Sequence, residues 1–164
     1  MKDKICYVVG AGENYGLDFQ PTKEDFVIAA DAGLCYLDKQ GIRADLVIGD
    51  FDTLKCIPQH TNTIVLSAEK DDTDTLAAVR EGIKAGYTSF HIYCGTGGRI
   101  DHTMANLQVL AYLSANNMRG FLFDNGTVIT AITNDRLCFE KIPFGYVSVF
   151  SCSTKAEGVT LCAV

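Results

Sequence analysis

The chain has 164 residues, enough for one domain or one domain with a small appendage, and 48% of them are hydrophobic, which supports a packed core. Lys plus Arg number 14 against 20 Asp plus Glu, a net charge of −6 that speaks against nucleic acid or an anionic membrane as partner. Phosphate ligands stay open, because a bound metal can carry the positive charge. No run of about 20 apolar residues is present to span a membrane, and no long apolar run follows the N-terminal lysines as in a signal peptide. Seven cysteines without a C-x-x-C pair read as buried free thiols in a reducing cytoplasm, with Cys56 in a loop.

Ile5–Val9 predicts a first buried strand. Gly10–Gly16 follows with a spacing close to G-x-G-x-x-G. Its third glycine is one position late and no amphipathic helix opens after it, so the loop suits a nucleotide without being a dinucleotide fingerprint. Phe26–Ala30 is a second strand. Asp31 behind it has two readings, a site carboxylate or the cap of a helix over 32–40 stopped by Gly41. Leu46–Ile48 is a third strand, ended by Gly49, and Asp50 and Asp52 come next. On an extended backbone both carboxylates leave on the same side. Two like charges about 5 Å apart repel by roughly 3 kcal/mol at an effective dielectric near 20, so a cation between them is expected. Mg²⁺ fits, being hard and taking carboxylate oxygen together with phosphate and water. A solvated acidic turn is the plainer reading of the pair taken alone.

Thr63–Leu66 is a fourth strand. The charge run Glu69–Asp74, with Lys70, Asp71 and Asp72, precedes a helix marked by Leu76, Val79 and Ile83 and ended at Gly86. Asp74 falls in its first turn, where the helix dipole favours an acid. Phe90–Cys94 is a fifth strand. Gly95–His102 is a glycine-rich turn that opens a helix from about His102 to Ala115. Such a turn offers backbone N–H groups to an anion, and Arg99 adds a forked phosphate donor. Asp101 has a plainer reading as N-cap and His102 as a surface residue. From Thr127 on the pattern turns to short strands at 128–132, 136–139, 146–150 and 159–164. An end inside the last of these predicts further residues beyond Val164.

The first part alternates strand and helix, which predicts α/β architecture: a Rossmann-like, three-layer domain on a parallel sheet with right-handed crossovers. The carboxyl ends of its strands then share one edge. Asp31, the Asp50/Asp52 pair, the Lys70–Asp74 cluster and the Thr96–Asp101 turn each follow a different strand, so all four fall on that edge. Acids with few bases beside a glycine-rich anion turn describe a site for metal plus polyphosphate.

Asp31-Ala32-Gly33, Gly49-Asp50-Phe51-Asp52-Thr53, Lys70-Asp71-Asp72-Thr73-Asp74 and Gly95-Thr96-Gly97-Gly98-Arg99-Ile100-Asp101-His102 resemble, in order and spacing, the motifs of the thiamine pyrophosphokinase family. The resemblance runs from about residue 5 to 164. It implies transfer of a pyrophosphoryl group from ATP to thiamine, an α/β catalytic domain over 1–123, a partial β-sandwich domain over 124–164 that binds thiamine, and a homodimer with the acceptor site between subunits. It further implies that Asp31, Asp50, Asp52 and Asp74 hold Mg²⁺ and the ATP phosphates. Lys70, Asp71, Arg99 and His102 would line the nucleotide, with the turn Thr96, Gly97 and Gly98 against it. Asp101 would reach the aminopyrimidine of thiamine. Ala32 stands where the family often has a second Gly, and a Ser-Asn element that the family carries past the strand at Val159 is absent.

Two other functions compete. A haloacid-dehalogenase-like Mg²⁺-dependent phosphatase also places D-x-D-x-T after an apolar strand, with the first Asp as nucleophile. There the motif usually ends the first strand, whereas Asp50 follows the third. A nucleotide- or thiamine-binding module without turnover is the non-enzyme alternative.

Overall fold

The computed structural model describes residues 4–162 except 52–57, 59, 68, 70–71 and 141–142. Asp52, Lys70 and Asp71 lie outside the described residues. A seven-stranded sheet has the order β4-β3-β2-β1-β5-β6-β7. Its strands are β1 Cys6–Val9, β2 Phe26–Ala30, β3 Leu46–Gly49, β4 Thr63–Val65, β5 Ser89–Tyr93, β6 Arg119–Asp124 and β7 Thr127–Thr130. The helices are α1 Gly33–Lys39, α2 Asp74–Lys84 and α3 Ile100–Ala115. Neighbouring strands run parallel except β6 and β7.

Alternation along the strands builds two cores. Cys6, Val8, Ile28, Ile48, Phe90 and Ile92 point to one face and meet Ala78 and Val79 of α2 and Val109, Leu110 and Leu113 of α3. Tyr7, Val9, Val27, Ala29 and Val47 point to the other, under Leu37 of α1 and under Leu17 and Phe19. The result is helix, sheet, helix, with part of the second layer supplied by the loop after β1. Phe19 stacks on Tyr7 with ring centroids 4.1 Å apart. That apolar anchor explains how a β1–β2 crossover holds without a helix.

Thr73 caps α2, its hydroxyl accepting from the Leu76 N–H at 3.2 Å, and Asp74 lies in the first turn as expected. Asp31 does not cap α1. The cap position is Ala32, without a side-chain hydrogen bond, and α3 likewise begins without a side-chain cap from Arg99.

The division of the chain differs from the expected break after residue 123. The compact units are Met1–Thr133 and Asn134–Val164. The cause is local: a two-residue Asn125-Gly126 turn sends β7 straight back along β6, pairing Phe123 with Val128 and Phe121 with Thr130. Among the described residues of the second unit there is no helix or strand, so the strands expected at 136–139 and 146–150 and at the described part of 159–164 are not formed. Period-2 apolar patterning makes a strand only where a neighbour completes the hydrogen-bond ladder. Phe144, Tyr146 and Phe150 are exposed there. The thiol expectation also needs correcting. Cys6 and Cys94 are buried, but Cys35, Cys138, Cys152 and Cys162 are exposed. Among the described residues, no helix is long and apolar enough to cross a membrane.

His91 sits mid-sheet on β5, in edge contact with Tyr7 and Phe121 at 5.5 Å and tilted against Phe123 at 5.1 Å. Burial pushes its pKa below the ordinary value, and the nearby Asp25 carboxylate only partly offsets this. The unfolded chain therefore binds a proton that the folded one refuses. Stability is full above the unfolded histidine value near 6.5 and falls as pH drops towards the lower folded value. His91→Phe is expected to flatten the stability curve just below the unfolded histidine value near 6.5, read from urea midpoints. An unchanged slope would refute the assignment.

Candidate active site at the carboxyl edge

The register fixes which residues share the rim. Val9 pairs with Ala29 and with Tyr93, Ala30 with Ile48, and Tyr93 with Phe123. Gly10, Ala30, Ile48, Cys94 and Asp124 therefore stand level on five adjacent strands. Asp31 and Asp50 project just beyond on neighbouring strands, which lie about 5 Å apart. The chain moves outward from β1 in both directions, so the crevice between β1 and β5 is the topological switch point, where ligands bind in sheets of this type.

Glycines let these segments meet. A Cβ at Gly10 would lie 2.7 Å from the Cys94 carbonyl oxygen and 3.6 Å from Thr75 Oγ1, which places the first turn of α2 beside the end of β1. At Gly12 it would lie 2.3 Å from the Thr96 carbonyl oxygen. The loop after β1 thus pairs with the turn after β5: Gly10 N donates to Tyr93 O at 2.9 Å, Gly12 N to Cys94 O at 2.8 Å and Glu13 N to Thr96 O at 2.9 Å. Tyr36 of α1 ties in the same loop, its hydroxyl donating to Gly12 O at 3.0 Å.

Three non-glycine residues after β2, β3 and β5 take the left-handed backbone: Asp31 at φ 49°, Phe51 at 58° and Cys94 at 53°. Such conformations cost energy and cluster at working sites. Phe51, with its positive φ, departs from the extended backbone expected for the residue after Asp50. Phe51 itself is buried on the α1 side.

Asp31 is the most telling residue of the rim. It is 5% exposed, its N–H donates to Ile48 O at 2.8 Å, and its Oδ1 is buried with no hydrogen-bond partner. An unpaired buried carboxylate oxygen is costly, and a hard cation is the ligand that removes the cost. Asp50 and Asp74 are half-buried on the same edge. These residues fit a divalent metal. Among the described residues, no group of three His, Cys, Asp or Glu already converges as a ligand set.

The glycine-rich turn is held from three sides. Thr96 is buried and donates through Oγ1 to Asp124 Oδ1 at 3.0 Å. Glu13 lies against Gly97, whose Cβ would come within 2.5 Å of its side chain. Asn106 of α3 donates from Nδ2 to Gly95 O at 2.6 Å. Gly97 and Gly98 both have positive φ, 78° and 58°. Arg99 and Asp101 form an exposed fork, Nε to Oδ1 at 3.2 Å and Nη2 to Oδ2 at 2.5 Å. The Arg99 hydrogen bond holds the Asp101 carboxyl below its usual range, so Asp101 is an acceptor and a poor base. His102 is exposed in the first turn of α3. Burial pushes the Cys94 thiol up to about 12, which removes it as a nucleophile.

Glu13, Asn106 and Asp124 do not stand out in the sequence. Asp124 ends a strand and obeys the same edge rule as Asp31 and Asp50. Asn106, inside a helix, carries no sequence signal of its burial.

The family profile described as thiamin pyrophosphokinase, catalytic domain, matches residues 21–122. No curated protein matches the sequence. Among solved structures, a thiamin pyrophosphokinase family protein from Enterococcus faecalis is 28% identical with a TM-score of 0.64, over 75% of this chain and 62% of that one. A probable thiamine pyrophosphokinase from Staphylococcus saprophyticus is 26% identical with a TM-score of 0.53, over 74% and 62%. The thiamine pyrophosphokinase of Bacillus subtilis, 24% identical with a TM-score of 0.63 over 74% and 61%, shares the fold. The match therefore spans about six-tenths of the length of these structures.

Proposed function

Because the chain belongs to the thiamin pyrophosphokinase family, we propose that it transfers a pyrophosphoryl group from ATP to the hydroxyethyl arm of thiamine, giving thiamine diphosphate and AMP. The observation that carries this reading is the orphaned buried oxygen of Asp31, set on the carboxyl rim inside the matched segment.

In this proposal Asp31, Asp50, Asp52 and Asp74 hold Mg²⁺ together with the phosphate oxygens. When bound, the metal supplies neutralisation of charge on the polyphosphate. Gly97 and Gly98 let the backbone approach the nucleotide, with Thr96 anchored beneath by Asp124. Lys70, Asp71 and His102 line the same ligand. Arg99 exchanges its Asp101 partner for phosphate, which frees Asp101 to accept from the aminopyrimidine amine of thiamine. The thiamine hydroxyl oxygen forms its bond to the β-phosphorus in line. The bond from that phosphorus to the α–β bridging oxygen breaks, and AMP leaves with the oxygen. The hydroxyl proton passes to Asp74 or to water, since Asp101 is engaged by the aminopyrimidine amine. We place the enzyme in the cytoplasm as a homodimer, with the acceptor site between subunits and the segment over 124–164 contributing to thiamine binding. The phosphatase reading loses ground, because its nucleophilic Asp ends a first strand whereas Asp50 follows β3.

The test is to incubate the chain with ATP, Mg²⁺ and thiamine and follow phosphorus NMR. AMP and thiamine diphosphate should appear in equal amounts. Release of ADP or of inorganic phosphate instead would overturn the reaction class, and nucleotide binding with no AMP formed would reduce the chain to a binding module.

A further inference from the structure

Asn106 is 3% exposed in the middle of α3. Its neighbours along the helix, Val109, Leu110 and Leu113, are core residues. A polar side chain in such a place is explained when all its atoms are paired, and here only one is. Nδ2 donates to Gly95 O at 2.6 Å, while Oδ1 is buried without a partner. Asn106 relieves one buried acceptor and introduces another, so the number of unpaired oxygens does not fall. What it adds is direction: one short bond from the helix to the root of the turn. The space beside Gly95 is small: a Cβ there would lie 2.7 Å from Leu122 Cδ1, 3.0 Å from Asn106 Nδ2 and 3.3 Å from Ile92 Cγ2.

We propose that Asn106 is a positioning residue that locks the Gly95–Arg99 turn, through the Gly95 carbonyl, in the form that accepts the nucleotide. The inference rests on the nucleotide reading above. Thr96 is pinned to Asp124 on one side and to the Glu13 N–H on the other. Asn106 fixes the residue just before it, so the following glycines are presented from a rigid root rather than from a free loop. Losing this bond loosens the turn and the β1 loop paired to it while leaving β1 and β2 intact.

The test uses the full chain in two measurements at a temperature where each variant is fully folded. By calorimetry, Asn106→Ala should bind Mg·ATP at least 10-fold more weakly than wild type. Asn106→Asp keeps the volume but cannot donate while ionised. Its affinity should therefore recover as pH falls and the carboxyl, protonated, donates to Gly95 O. A merely structural role would move the melting point and leave both affinities at the wild-type value, and that result overturns the proposal. By hydrogen exchange without ligand, the Gly12 and Glu13 amides should exchange faster in either variant, with β1 and β2 unchanged; unchanged Gly12 and Glu13 exchange also overturns it. If wild type itself binds no Mg·ATP, the functional reading fails and the nucleotide-positioning role fails with it. Faster exchange would then retain only the clamp between α3 and the turn.

Discussion

Replacing Asp31 by Asn should make the metal-free protein more stable and abolish its response to Mg·ATP. Asn keeps the size and tolerates the left-handed backbone that Asp31 adopts at φ 49°. It removes the charge that leaves Oδ1 buried and unpaired, a liability of about 1–3 kcal/mol. At about 2–4 °C per kcal/mol for a chain of this size, the melting temperature without metal should rise by about 2–12 °C. A ligand held at a hundred times its dissociation constant stabilises wild type by about 2.7 kcal/mol, and that gain should vanish in Asp31→Asn. Turnover should fall about 100-fold or more, the scale on which a single electrostatic group at a reacting centre acts. Thermal melts with and without Mg·ATP decide the matter. A variant that melts lower and still gains from Mg·ATP would show that Asp31 serves the fold and not the ligand.

Gly33→Ala is the second large effect, and competing terms make its sign informative. Helix propensity alone favours Ala by about 1 kcal/mol. Against this, a Cβ at Gly33 would stand 2.0 Å from the Val9 carbonyl oxygen, 2.7 Å from the Val9 carbonyl carbon and 2.9 Å from the Gly10 oxygen. These are backbone atoms of the central strand and its exit, which cannot swing aside as the end of a side chain can. Overpacking of this kind costs about 1–3 kcal/mol and sometimes more. A net loss of about 2 kcal/mol is expected, which lowers the melting temperature by about 4–8 °C. Relief by moving α1 away would carry Asp31 with it, so nucleotide binding should weaken even where the fold survives. Denaturant midpoints check the prediction, and a stabilised Gly33→Ala would mean that α1 does not pack so closely on β1.

Much of this was legible before any coordinates. Short apolar runs such as Leu46–Ile48 and Phe90–Cys94 have the length of buried strands, and the stripe Leu76, Val79, Ile83 has the period of a helix. Both signals are local and both elements form. Alternation then placed the carboxylates on one edge without knowledge of side-chain geometry. The misreadings share a cause, since they concern what an element packs against. Val128–Ile132 reads equally well as the start of a new sheet or the return arm of a hairpin, and only the Asn125-Gly126 turn decides. The strands expected beyond Asn134 lacked a neighbour that the pattern cannot supply. Left-handed Phe51 and Cys94 were invisible because neither is a residue that favours that conformation. Asn106 was invisible because a polar residue within a helix reads as solvent-facing.

Acids distant in the chain, Asp31 after β2 and Asp50 after β3, are proposed to share one divalent ion with a nucleotide on the carboxyl rim of the sheet. Crystals grown with Mn²⁺ and a non-hydrolysable ATP analogue test it directly through anomalous scattering. The account predicts a peak at metal–oxygen bonding distance from the Asp31 carboxylate, with the Asp50 carboxylate and phosphate oxygens around it and the Gly97–Gly98 turn against the nucleotide. A peak bonded elsewhere, or a nucleotide seated away from the carboxyl edge of the sheet, would contradict it.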